Sequence, residues 1–300
     1  MNKLKYILLS LVVISCSKDD DPSFPAIDEI IWIPIVVHVL HGGEEIGDGP
    51  NLSQERIEGQ IRILNEDFRR KEGTRGFNTH PDGGDSKIEF VLARQDPNGE
   101  PTSGIVRIDT TGIDIDIDLS YSQNFFSEYS YWNPEHYINI WTTPLPIEVA
   151  CLALGVSTGP VTDLPGGDHF LIPRDGDSDG ILVNWAHFGE SSIDCHARFG
   201  RTLTHEMGHY LGLLHTWGAM DCEFNDYCDD TPAVDDFVFG REAFAGCAGN
   251  QIMIGNYMNY SEDEVMNIFT NDQIERMRYV LQNSPRRKGL PTSKGLESPM

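Results

Sequence analysis

Two hydrophobic rhythms organise this chain. Ile31 to Leu40 (IWIPIVVHVL) is almost unbroken apolar sequence rich in β-branched residues, the pattern of a strand buried on both faces. Lys87 to Ala93, Ile105 to Ile108, Tyr137 to Trp141 and Gly180 to Val183 read as further strands, with a turn at Asp96 to Gly99. Between them the rhythm changes. Ile57, Ile61, Leu64 and Phe68 recur at helical spacing after Ser53, a good N-cap, so a helix is predicted over 54–70. Helices are also predicted over Arg201 to Leu214 and Asp272 to Leu281. Strands and helices are mixed, with most strands in the first two thirds, so the fold class is α/β in the broad sense (α+β). Residues 17–30 are polar and aperiodic and read as a tether; residues 284–300 read as a frayed polar tail. There are no internal repeats.

Length changes this picture little: 300 residues suit one domain or two tightly joined subdomains. Charge changes it more. A formal net charge of −25 excludes nucleic acid as a partner, because phosphate binding needs clustered Lys and Arg. It fits solubility in a saline extracellular setting, cation binding or a preference for basic substrates. The N-terminus adds a compartment. Lys3 and Lys5 precede an apolar run, Tyr6 to Ile14, too short to span a bilayer. Val13-Ile14-Ser15-Cys16 resembles a bacterial lipobox, which makes residues 1–15 a signal peptide and Cys16 the lipidated first residue of the mature chain; the alternative is a plain secretory signal. The acidic stretch after Cys16 resembles a surface-export signal, so the expected location is the outer membrane or cell surface, with a released secreted form allowed. Apart from Cys16, five of the six cysteines remain, an odd number, so at least one is free. C-x-x-C is absent, which disfavours a thiolate zinc site.

The chemistry is concentrated in Thr204 to His215 (THEMGHYLGLLH), which fits H-E-x-x-H-x-x-G-x-x-H in full. His205 and His209, at i and i+4, project from one helical face onto one ion. Glu206 lies beside them, placed to act as base on the attacking water. Gly212 permits a positive φ, and so a sharp exit that brings His215 round as third zinc ligand. Chance gives this pattern in on the order of one in 10⁴ such chains. The other seven histidines lack metal-like spacing and read as structural or surface residues.

The motif region (200–218), Asp229 to Pro232 (DDTP), Asn256 to Tyr260 (NYMNY) and Phe269 to Met277 (FTNDQIERM) together resemble the pappalysin family of metzincin zinc proteases, in its small bacterial, ulilysin- and cytophagalysin-like branch. IPIVVHVLH (33–41), QIRILNEDFRR (60–70) and 87–107 agree, so the resemblance covers about 31–283. It implies a catalytic domain with an upper subdomain (about 31–212) built on a twisted mixed sheet with backing and active-site helices. A smaller irregular lower subdomain (about 213–283) would carry His215 and the Met-turn, with substrate in the cleft between, pairing with an edge strand near Cys151 to Thr158. It implies Met258 as the floor of the metal site and Tyr260 as oxyanion donor. It implies Ca²⁺ as well as Zn²⁺, the calcium held around Asp226, Asp229 and Thr231, with Asp230 and Pro232 in the same pattern. It favours a Cys222–Cys247 disulfide, with Cys228 as competing partner and Cys151–Cys195 as a second bridge. A further acidic run from Asp175 to Gly180 begins like an EF-hand, but its twelfth position is Ala186, so it is not one. The chain departs from the family in having no cysteine between Cys16 and the first strand to block zinc, and none shortly after Met258. The function implied is a monomeric zinc endopeptidase acting on extracellular proteins or peptides. The rival readings are an inactive cell-surface binding lipoprotein on the same scaffold and a zinc hydrolase of non-peptide substrates.

Overall fold

The computed structural model describes residues 28–113, 127–145, 151, 154–173, 176–193, 195–223 and 225–299. Cys16, the signal-like segment before it and Asp175 lie outside the described residues.

Strand β1 (Ile31–His41) is the hub, and its apolar run is buried on both faces apart from Trp32. Its length lets it take three parallel partners. β2 (Ile88–Leu92) pairs along Ile31–Ile35, β3 (Ile105–Asp109) along Val37–His41, and β4 (Ile138–Thr143) along Ile35–Val39. β4 then pairs in parallel with β6 (Gly180–Asn184). The sheet ends on β5 (Gly155–Ser157), antiparallel to β6 and lying at the edge. This is the stretch in which an edge strand is expected from the sequence.

Helix α1 (Gln54–Phe68) begins where Ser53 Oγ accepts from Arg56 N–H at 3.2 Å, and buries Ile57, Ile61, Leu64 and Phe68 in the main core. Helix α2 (Arg201–Tyr210) packs against α1, β5 and β6. It is four residues shorter than the helix expected over Arg201 to Leu214, because the chain turns at Gly212 (φ +96°). Leu213 N–H donates to Gly208 O and Gly212 N–H to His209 O, both at 2.9 Å, which is a Schellman turn. Leu213 and Leu214 are buried, but in the turn rather than in helix. Helix α3 (Asn271–Asn283) is fixed by a Thr270–Gln273 capping box. Two two-residue strands, β7 (Phe239–Gly240) and β8 (Tyr260–Ser261), pair in parallel near the cleft.

The reading of 284–300 as a frayed tail is corrected. Arg287 and Leu290 are buried, and the Arg287 guanidinium makes a two-pronged ion pair with Asp179 at 2.6 and 2.9 Å. Arg287 Nε–H also donates to Tyr210 O at 3.0 Å, and its guanidinium lies 3.5 Å over the Tyr210 ring. A polar, aperiodic stretch is held by long-range partners that local pattern cannot display. Asp179, from the acidic run, is thereby committed to an arginine.

Both disulfides form as anticipated: Cys222–Cys247 and Cys151–Cys195, with Cα separations of 5.7 and 5.9 Å. Cys228 is free and buried. No helix among the described residues is long and apolar enough to cross a membrane.

Candidate active site

Helix α2 presents His205 and His209 one turn apart, and the Schellman turn returns the chain so that His215 faces them. The three Nε2 atoms lie 3.1, 3.1 and 3.3 Å from one another. Two Nδ1 atoms face carbonyls, which only accept, so each carries the proton: His205 Nδ1–H donates to Tyr257 O and His209 Nδ1–H to Leu213 O, both at 2.7 Å. The Nε2 atoms of these two rings are then bare lone pairs. Burial pushes His205 down to about 3 and His209 to about 4, and burial with the neighbouring rings takes His215 well below the usual imidazole range. Converging neutral acceptors repel one another unless a cation lies between them. Tetrahedral zinc at about 2.0–2.1 Å from each nitrogen separates its ligands by about 3.3 Å. The triad fits that ion in donor type, protonation and spacing.

Glu206 follows His205 and is buried on the same cleft. Burial pushes its carboxyl up to about 8, and a dication at the triad acts in the opposite direction. A Cβ on Gly155 of β5 would stand 3.0 Å from Glu206 Cγ, so the edge strand approaches the carboxylate closely because this residue lacks a side chain. The cleft has a volume of about 770 Å³ and is lined by the triad, Glu206, β5 and Tyr260. Tyr260 is half-exposed on β8, its ring centroid 4.9 Å from that of His215 and 5.7 Å from that of His205. Met258 is buried, and its Sδ would lie 2.4 Å from a Cβ on Gly208, so the fourth position of His-Glu-Met-Gly-His is left empty for that sulfur.

The turn that carries Met258 is built by its flanking asparagines. Met258 N–H donates to Asn256 Oδ1 at 2.9 Å, and Asn259 accepts the Thr216 hydroxyl at 2.5 Å while donating to Met253 O at 2.8 Å. The third histidine's loop and the Met-turn are therefore joined one residue beyond His215.

These partners are invisible to motif spacing. So are two other supports: Trp217, stacked on His215 at 4.3 Å and 11°, and a buried cluster behind α2. There Asp67 of α1 accepts from Arg201 at 3.0 Å and from the Thr204 hydroxyl at 2.7 Å. Burial outweighs Arg201 and raises Asp67 to about 6. Asp263 is buried on the cleft wall and accepts from Phe199 N–H and Arg201 N–H at 2.7 and 3.2 Å.

The residues expected to hold calcium are only partly gathered. Asp226 is buried, and its Oδ1 accepts from the Thr231 hydroxyl at 2.5 Å and from Cys228 N–H at 3.3 Å. Asp229 is exposed, and with Asp230 it turns its backbone N–H towards Asp272 Oδ2, at 2.8 and 3.2 Å. Among the described residues, clusters of three or more metal-ligating side chains occur at the histidine triad and at Cys222, Asp235 and Cys247, whose cysteines are joined to each other.

With this geometry in view, comparison with known proteins is decisive. Residues 120–282 match the peptidase M43 family model, described as pregnancy-associated plasma protein-A. The chain belongs to the M43, or pappalysin, family of metallopeptidases. Mature mirolysin of Tannerella forsythia, solved with a cleaved peptide, superposes with a TM-score of 0.74 at 31% identity, covering 92% of this chain and 100% of that one. An extracellular metalloprotease of Colletotrichum graminicola is 33% identical over 129 residues, covering 41% of this chain; the chain spans 44% of that relative's length. One from Verticillium alfalfae is 26% identical over 251 residues, covering 82% of this chain and 74% of its own. The M43 assignment agrees with the resemblance read from the motif and with the mixed α+β architecture, and this family implies zinc at the triad.

Proposed function

We propose that this chain is a zinc-dependent endopeptidase that cleaves extracellular proteins or peptides. The observation that carries the reading is the convergence of three neutral Nε2 atoms at 3.1–3.3 Å beside a buried carboxylate, on one open cleft. His205, His209 and His215 would hold the zinc. When bound, the ion supplies Lewis acidity to the scissile carbonyl and to a water. Glu206 takes the proton from the attacking water and hands it to the departing amine, which a carboxylate fixed on the cleft wall can do without reorganising. Tyr260 turns its phenol to the oxyanion that develops on the carbonyl. The substrate runs extended along β5, the last strand of the sheet among the described residues, whose outer edge offers backbone hydrogen bonds. Residues 31–212 and 213–283 act as the two walls of the cleft, and Met258 as the floor under the triad. All three histidines and Glu206 are present, so the inactive-scaffold reading gains nothing from the site.

Two further assignments belong to the same reading. Calcium orders the loop between the third ligand and the Met-turn through Asp226, Asp229 and Thr231. Its support is that the buried Asp226 carboxylate makes no ion pair with a basic side chain among the described residues. Cys16 carries a lipid that holds the exported enzyme at the cell surface.

The deciding experiment is Glu206→Ala. The variant is expected to keep its zinc, read by elemental analysis, and to lose roughly 10²–10⁴-fold in kcat on casein or a peptide. Near-normal turnover in the metal-loaded variant would overturn the assignment.

A further inference from the structure

The segment Phe237-Val238-Phe239 alternates like a strand. Val238 is fully buried in a small core with Trp217, Val234 and Ile252, and this inward anchor turns both phenylalanines outward. Phe239 is 59% exposed and Phe237 is 41% exposed. Neither ring is idle on a random surface. Phe239 lines the same cleft as the triad and Glu206. Its centroid is 5.6 Å from Tyr260 and 5.8 Å from Phe237, while Phe237 and Tyr260 lie parallel within 9° at 6.4 Å. The backbone fixes this grouping: Tyr260 N–H donates to Val238 O at 2.9 Å and Glu262 N–H to Gly240 O at 3.0 Å. Trp217 closes the inner side, 5.3 Å from Phe237 and 4.8 Å from Tyr260. The result is an aromatic surface that begins beside His215 and runs outward along one wall of the cleft. Exposed apolar surface continuous with a binding cleft is covered when the ligand is bound.

We propose that Phe237 and Phe239 form a shelf that selects a large aromatic or branched aliphatic side chain at one fixed position of the bound peptide. This rests on the peptidase reading, because the peptide's path along the cleft brings that side chain to the shelf. The chemistry is burial of two ring faces against a third apolar group, with edge or offset contacts when the incoming group is aromatic. A polar side chain at that position gains nothing from the shelf and leaves both rings wet.

The test begins with the zinc-loaded full chain and a proteome-derived peptide mixture, with cleavage sites read by mass spectrometry. Phe, Tyr, Leu or Ile is expected to be enriched at one position relative to the cut. A pair of peptides built on such a site, one with Phe and one with Ser at that position, should differ by roughly tenfold in kcat/KM, mostly through KM. Phe237→Ser/Phe239→Ser should bring that ratio close to one, and Phe239→Leu should restore most of it. No apolar enrichment in the wild type, or a ratio unchanged in the double variant, overturns the shelf. Anisotropy with the same labelled peptides on Glu206→Ala separates the two readings. Tighter binding of the Phe peptide, lost on Phe237→Ser/Phe239→Ser in that background, supports the shelf even if the wild type cleaves nothing, a result that would overturn only the peptidase assignment. Equal binding of the two peptides overturns the shelf.

Discussion

Gly208 and Asp226 show how single residues are bound by what stands opposite them. Any side chain at Gly208 would meet the Met258 sulfur, so the motif's fourth position is set by packing against the Met-turn. Asp226 is a buried carboxylate that faces hydrogen-bond donors from Thr231, Cys228 and Gln273. Burial raises it to about 7, with hydrogen bonds from Thr231, Cys228 and Gln273 working against that rise. If calcium completes this environment, then with zinc held constant, calcium at 100-fold over its Kd stabilises by about 2.7 kcal/mol, several degrees in Tm. Asp226→Asn is expected to lose that increment while remaining folded. Melting curves insensitive to calcium in both proteins would remove the site. The histidines and Glu206 were legible because their geometry is local, fixed by one helical turn and one glycine. Tyr257 O and Leu213 O, which fix the tautomers of two of them, were not, because a backbone carbonyl has no sequence signature.

Helix α2 is the element on which the site depends, and both its ends are held from far away. Its N-terminal turn is tied by Arg201 to Asp67 of α1, 134 residues earlier. Its C-terminal end is tied by Arg276 Nε–H to Gly212 O and by Arg287 Nε–H to Tyr210 O. Arg287 satisfies a terminal carbonyl, covers the Tyr210 ring and neutralises Asp179. Breaking a buried pair of this kind costs roughly 3–5 kcal/mol, since the remaining charge stays buried. Arg287→Met is therefore expected to lower stability by that order, and adding Asp179→Leu should return a substantial part of it, both read by urea unfolding. A midpoint equal to wild type in Arg287→Met would show that the C-terminal segment contributes nothing. All three helices, α1, α2 and α3, were legible in the sequence, but α2 was run on to Leu214. The sharp exit at Gly212 was legible, but the point at which the helix ends, Tyr210, is set by the hydrogen bonds of the turn around it. The C-terminal segment was misread because its anchor is an arginine, a residue type that periodicity counts as surface.

At the scale of the molecule, the sheet was legible wherever strands are buried on both faces, as in β1, and illegible where they are two residues long, as in β7 and β8. Those short strands nonetheless set Tyr260 beside the aromatic shelf. The whole chain also has an address to be tested. If Cys16 is lipidated, cells expressing the wild type should incorporate a palmitate analogue into the protein and retain it in the membrane fraction, and Cys16→Ala should do neither. An unlabelled, soluble wild type would replace the anchor with simple secretion. The Arg287 clamp has a consequence in time as well as in space. Arg287 leaves the ribosome 77 residues after Tyr210, the residue whose carbonyl it holds. A chain still being made has the metal motif complete but the end of its helix unfastened. The end of the helix that carries the motif is therefore fastened only when the segment around Arg287 folds back onto Tyr210, a long-range step rather than a local one.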